Sequence, residues 1–122
     1  MGENEYDEQV KEGFTKLQKQ MFESKQLISM EEETKALKER QMEIAKTILK
    51  RVNDIDAAKT MYRQIGRAYV VSTKEDEIKR MEKIVSECAA DIKKSEEKKK
   101  YVVRSLEDAQ NNLREMIATR KS

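Results

Sequence analysis

Residues 60–78 read TMYRQIGRAYVVSTKEDEI, and this stretch is unlike the chain on either side of it. The flanks are long runs of Lys, Glu, Gln and Arg with regularly spaced aliphatic residues. Here Met61, Tyr62, Ile65, Ala68, Tyr69, Val70 and Val71 crowd around Gly66. Thr60–Ile65 and Arg67–Thr73 are rich in Thr, Tyr, Val and Ile, types that fit a pleated, half-buried surface better than a helix. Gly66 takes positive φ without steric cost, as a tight reversal requires. The pattern predicts a strand, a glycine turn and a second strand, a hairpin over about residues 60–73. Ser72 and Glu75 stand in the S-x-x-E spacing of a capping box, which opens a helix at about residue 74. Asn53, Asp54 and Asp56 mark where a preceding helix gives way.

Outward from this segment, the second half carries a heptad seam. Ile78, Met81, Val85, Cys88, Ile92, Ser95, Lys99, Val102, Leu106, Ala109, Leu113 and Met116 follow at alternating steps of three and four, with polar lapses at Ser95 and Lys99. A helix over residues 74–119 would be roughly 70 Å long at about 1.5 Å per residue. The first half predicts a helix over about residues 6–55. Val10, Phe14, Leu17 and Met21 start its seam, followed by Ser24 and Ile28. Leu27, Met30, Thr34, Leu37, Gln41, Ile44, Ile48 and Ile55 continue it one residue out of phase, a slip that local winding absorbs. Gly13 costs about 1 kcal/mol against alanine in a helix interior, which predicts fraying of the first turns. Two helices of similar length joined by a short reversal pair antiparallel and bury their seams against each other. The fold class is therefore mainly α, a long antiparallel two-helix coiled coil with one β-hairpin at the connection, in a single domain over residues 1–122.

Composition agrees with long helices. Of 122 residues 41% are charged and 5% aromatic, and there is no proline or tryptophan. Disorder fits the low hydropathy but not the regular apolar spacing. The net charge of +2, with both signs interspersed, points to no nucleic-acid or anionic-membrane partner. The basic cluster Lys98–Lys100 directly follows Glu96 and Glu97 and reads as a solvated helix face. The single cysteine, Cys88, excludes an internal disulfide, and no run reaches the length of a membrane span, so a cytoplasmic protein is expected. An enzyme is not. Histidine is absent, no glycine-rich loop is present to cradle phosphate, and Cys88 on the seam reads as a small buried hydrophobe. No catalytic, cofactor-binding or metal residue is expected, and no cofactor.

A lone two-stranded hairpin is marginally stable in water and leaves unpaired N–H and C=O groups along both edges. No other segment supplies further strands. The hairpin is accordingly expected to be an assembly element completed by strands from other subunits. The competing reading is an elaborated loop capping a monomeric helical hairpin.

These residues resemble a known family. Met61-Tyr62-x-x-Ile65-Gly66-Arg67-x-Tyr69-Val70-Val71, followed by Ser72-Thr73-Lys74-Glu75, is similar to the hairpin of the β-type prefoldin subunits, the subunit-1 branch in particular. Phe14-Thr15-x-Leu17-Gln18, Lys98-Lys99-x-Tyr101, Arg104-Ser105 and Asn112-x-Arg114-Glu115-Met116 extend the likeness over nearly the whole chain, with the middle of the first helix matching less well. One hairpin between the helices, not two, favours a β-type over an α-type subunit. The resemblance implies an ATP-independent co-chaperone, a hetero-hexamer of α-type and β-type subunits whose strands form a β-barrel body. It implies unfolded client proteins, notably actin and tubulin, passed to the cytosolic chaperonin.

An antiparallel pair rooted at a mid-chain hairpin brings both termini to its other end. Val10, Phe14 and Leu17 are there expected to meet Leu113, Met116 and Ile117, forming tips where the seam lacks neighbours and apolar side chains are partly exposed. Methionine adapts to varied shapes, and several weak sites on separate arms give avidity without nucleotide. These six residues are the candidate client contacts, though each is also accounted for as ordinary seam. Met61, Tyr62, Ile65, Gly66, Arg67, Tyr69, Val70 and Val71 are the candidate assembly hairpin. A structural coiled-coil tether without chaperone activity explains the heptads equally well, but not the hairpin.

Overall fold

The structure, a computed structural model, describes residues 3–121. Its order is α1 (Glu3–Asn53), β1 (Met61–Ile65), β2 (Ala68–Ser72) and α2 (Lys74–Lys121). The strands pair antiparallel, Met61 opposite Ser72 and Ile65 opposite Ala68. Two long helices joined by one hairpin is the architecture that the heptads and the glycine-centred patch imply.

The ends of the elements have local causes. Helix α1 closes with a tightened turn, in which the Asp54 and Ile55 amides donate to the carbonyls of Arg51 and Val52 at 3.2 and 3.1 Å. Lys74 Nζ then donates to the Asn53 and Ile55 carbonyls at 3.0 and 2.8 Å, so a cation at the start of α2 satisfies the orphan acceptors ending α1. In the linker, Asp56 Oδ1 accepts from the Ala58 amide at 3.0 Å, a local turn that an aspartate favours. Helix α2 begins differently from the expected capping box. Thr73 is the cap: its Oγ1 accepts from the Asp76 amide at 3.1 Å. Ser72 remains the last strand residue, and its hydroxyl donates to Glu77 Oε1 at 2.8 Å. The hairpin register sets this result, because Ser72 is held in extended backbone opposite Met61. Three acidic residues, Glu75, Asp76 and Glu77, then complement the positive end of the α2 dipole.

The chain divides into two compact units. One comprises the chain through Glu33 together with Ser95 onward; the other is Thr34–Lys94. In the first, Tyr6, Val10, Gly13, Leu17, Ser24, Ile28 and Glu31 of α1 are half-buried or buried, as are Ser95, Lys99, Val102, Leu106, Ala109, Leu113 and Ile117 of α2. Gly13 does not fray the helix. A Cβ there would lie 2.8 Å from Leu113 Cδ1, so glycine makes room for a buried leucine of the facing helix. Polar bonds cross the same seam: Gln20 Nε2 donates to the Ser105 carbonyl at 3.3 Å, and Lys99 pairs with Glu32 at 2.9 Å.

In the second unit the buried face of α1 is Lys35, Lys38, Met42, Ala45, Leu49 and Val52, facing Ile78, Met81, Val85, Cys88 and Ile92 of α2. This corrects the expected phase slip. The seam keeps its phase, and Leu27, Met30, Leu37, Ile44 and Ile48 lie outside it, with Leu37 52% and Ile44 54% exposed. The physical reason lies in long polar side chains. Lys35 and Lys38 cover the seam with their methylene stems while their ammonium groups reach carboxylates, Lys38 meeting Asp91 at 3.4 Å. Cys88 is buried on this seam, as its spacing implies, 3.9 Å from Gln41 Oε1.

Candidate functional site

The hairpin site rests on its turn. Gly66 has φ +60°, and no other described residue has positive φ, which is the pattern of a two-residue reversal with glycine first. A Cβ at Gly66 meets nothing within 4 Å, so glycine is required for the backbone conformation and not for space. Gln64 Nε2 donates to the Gly66 carbonyl at 3.1 Å and braces the reversal.

From the turn, the register sorts the side chains onto two faces. Met61, Arg63 and Ile65 share a face with Ala68, Val70 and Ser72; Tyr62 and Gln64 share the other with Tyr69 and Val71. Met61, Arg63 and Ser72 are half-buried, so the first face turns inward at its root. The second stands in the open, with Tyr62, Tyr69 and Val71 each about two-thirds exposed (66%, 68% and 66%). Ile65, Gly66, Arg67 and Val70 are exposed as well. The sheet has two strands among the described residues, so both outer edges present unpaired backbone groups beside an aromatic, β-branched face.

A buried carboxylate fastens this hairpin to α2. Glu77 is 6% exposed. One oxygen accepts from Ser72 Oγ and lies 4.0 Å from Arg63 Nη1 of β1; the other accepts from Arg80 Nη2 and Nε at 3.0 and 3.2 Å. Burial pulls its pKa up, but the hydrogen bonds from Ser72 and Arg80 and the charges of Arg80 and Arg63 outweigh that pull. The group is held below its ordinary value of 4.5. Sequence reasoning passed over Glu77 as one acid among many. Its signal was position: it falls one residue before Ile78 on the seam side of the first turn, within reach of the last strand residue.

The second group of candidates lies in the unit that carries both chain ends. Leu113 is buried, Val10, Leu17 and Ile117 are half-buried, and Phe14 and Met116 stand 47% and 40% exposed. All six are thus on or beside one short stretch of seam, and two of them offer apolar surface to solvent. Tyr6, missing from the sequence reading, belongs with them: its hydroxyl donates to the Met116 carbonyl at 3.2 Å across the pair. The step of four to Val10 was a sufficient signal. Further exposed apolar side chains, Phe22, Leu27, Met30 and Tyr101, occur in the same unit. Leu27 and Tyr101 line an apolar pocket of about 380 Å³. No helix among the described residues is long and apolar enough to cross a membrane.

Comparison with known proteins agrees with this geometry. The prefoldin subunit family model matches residues 14–120. The chain is 30% identical over 115 residues to a probable prefoldin subunit 1 of Caenorhabditis elegans, covering 94% of this chain and 98% of that one. It is 28% identical over 120 residues to prefoldin subunit 1 of Homo sapiens, covering 95% of each. Among solved structures, the crystal structure of the prefoldin beta subunit from Thermococcus strain KS-1 superposes with a TM-score of 0.67. That match covers 88% of this chain and 90% of the other at 13% identity, a likeness of fold.

Proposed function

Because this chain belongs to the prefoldin subunit family, we propose that it is a β-type subunit of a hetero-hexameric, ATP-independent co-chaperone. In this reading it assembles with α-type and other β-type prefoldin subunits in the cytoplasm. The complex holds unfolded proteins, actin and tubulin among them, and delivers them to the cytosolic chaperonin. One observation carries the reading: a hairpin with two unpaired edges and an exposed Tyr62, Tyr69 and Val71 face, anchored at its root by Glu77. An exposed edge of this kind is a template for strands of another chain, and a tether has no use for it.

Client holding is assigned to Val10, Phe14, Leu17, Leu113, Met116 and Ile117. The exposure of Phe14 and Met116 supports this assignment, since accessible, adaptable apolar side chains make weak contacts with many partners. No bond is made or broken in such holding, so no enzymatic step and no cofactor enter. Release follows transfer to a competing surface. The test is suppression of aggregation of chemically unfolded actin, without nucleotide, by the chain assembled with α-type and other β-type subunits. Suppression is the expected result. An assembled complex that leaves aggregation unchanged would return the chain to the tether reading.

A further inference from the structure

The hairpin differs from the helices in charge as well as in hydropathy. Residues 59–74 hold four cations, Lys59, Arg63, Arg67 and Lys74, and no Asp or Glu. The whole chain carries +2, so this segment at +4 leaves the remainder at −2. Arg63 sits in the middle of β1, whose outer edge has no strand beside it among the described residues. Its neighbour across the hairpin is Val70, which offers no charge. Its ion pair with Glu77 is long, 4.0 Å, and the other oxygen of that carboxylate is bound by Arg80. Two guanidinium groups thus share one carboxylate. Arg63 Nε is buried and meets no acceptor among the described residues, while the side chain as a whole is 37% exposed. A buried N–H left unpaired is unfavourable, and the guanidinium fork has donors to spare for a second carboxylate.

We propose that Arg63 selects the partner at the free edge of β1: a strand of a different chain that places an Asp or Glu opposite Arg63. The proposal rests on the assembly reading above and names the chemistry of the strand that docks. In an antiparallel pair, residues directly opposite have Cβ atoms about 4.5–5.5 Å apart on the same face, within reach of an ion pair. A second copy of this chain cannot supply the acid. Its β1 offers Met, Tyr, Arg, Gln and Ile, and its β2 offers Ala, Tyr, Val, Val and Ser. No register of either strand brings a carboxylate to Arg63. Self-pairing would instead bring together two segments of +4 each, with no counter-charge in the strands. Complementary charge decides which partner docks, and how fast, more than it adds affinity. Arg63 therefore favours a different chain over a second copy at this edge.

The test uses the full chain carrying Arg63→Lys, assembled with α-type and other β-type subunits and treated with a carbodiimide. That reagent joins an ammonium to a carboxylate it touches, and peptide mass spectrometry identifies both residues. In the free chain, position 63 is expected to link to Glu77. In the hexamer it should gain a link to an Asp or Glu of another subunit type. A hexamer in which position 63 links only to Glu77, or to nothing, overturns the proposal and leaves the assembly reading standing. A link to a second copy, or one that forms only after unfolded actin is added, assigns the edge to self-association or to client and also overturns it. Failure of the unsubstituted chain to enter any hexamer overturns both. A second variant, Arg63→Gln, competes with an equal amount of unsubstituted chain for the other subunits. At low salt it should be about tenfold under-represented in the hexamer by native mass spectrometry, and the handicap should shrink at high salt. Equal incorporation contradicts the proposal, and so does a handicap that salt leaves unchanged, which would mark a folding defect of the hairpin.

Discussion

Glu77 stays charged while almost fully buried because Ser72, Arg80 and Arg63 converge on it from β2, α2 and β1. Its native pKa lies below its unfolded value of 4.5. The carboxylate therefore contributes stability that is fully present above that value and is lost as pH falls through the lowered native pKa. Glu77→Gln keeps an acceptor for Ser72 but loses the charge facing two guanidinium groups. At neutral pH it should cost about 1.5–3 kcal/mol, the scale of hydrogen bonds to charged groups. Denaturant titrations across the acid range check the sign: the gap between the two proteins is expected to close as the wild-type carboxylate protonates. Gly66 fails for another reason. With φ at +60° and open space around it, Gly66→Val suffers backbone strain of about 1–2 kcal/mol and no clash. Faster hydrogen exchange at β1 and β2 amides, with α1 and α2 unaffected, is the expected signature. The need for a positive-φ residue at Gly66 was legible in the sequence. The role of Glu77 was not, since composition cannot tell a carboxylate held by three neighbours from the acids around it.

Among the elements, the hairpin and the α2 seam from Ile78 to Leu113 were read correctly, and the second half of α1 was misread. The cap of α2 lies at Thr73 instead of Ser72, and Ile117, not the 40% exposed Met116, continues its seam. The α2 pattern is clearer because most of its apolar residues fall on one stripe, with Ile84, Tyr101, Val103 and Met116 off it. Helix α1 carries two stripes one residue apart, and the more hydrophobic one, Leu37, Ile44 and Ile48, is the one left outside. Seeking the most apolar stripe fails where Ala45 and lysine stems suffice against Met81, Cys88 and Ile92, and where the richer stripe faces outward. Paired substitutions separate the two phases. Leu49→Ala, on the seam, should destabilise the chain by about 2 kcal/mol or more. Leu37→Ala, a surface change in the free chain, should stay within about 0.5 kcal/mol. Thermal melts followed by circular dichroism will show the contrast, and equal losses would restore the slipped register. Within the hairpin, the register also decides which substitution is informative. Val70 lies opposite Arg63, so an aspartate there gains a cross-strand cation. Val71 lies opposite Tyr62 on the open face, where a new carboxylate has no such partner.

At the scale of the whole molecule, the proposed function divides the work: the hairpin for assembly, the apolar residues near both chain ends for client. The division is separable by truncation. Removing ten residues from each end takes away Tyr6, Val10, Leu113, Met116 and Ile117 and leaves the Glu77 anchor and the hairpin intact. In the proposed function a small number of weak contacts supplies holding through avidity, and on that reading their loss reduces suppression of actin aggregation by an order of magnitude or more. The truncated chain should still co-elute with its partner subunits in gel filtration. Undiminished suppression would move the client surface elsewhere, with exposed Phe22, Leu27, Met30 and Tyr101 as the next residues to change. In the proposed function, hairpin edges build a hetero-hexamer. Native mass spectrometry of this chain co-expressed with α-type and other β-type prefoldin subunits tests it most directly, beside Val71→Asp. A hexamer containing the unsubstituted chain, and its loss in the variant, is the expected result; a hexamer of equal abundance with Val71→Asp, or none with either, would contradict the proposed assembly.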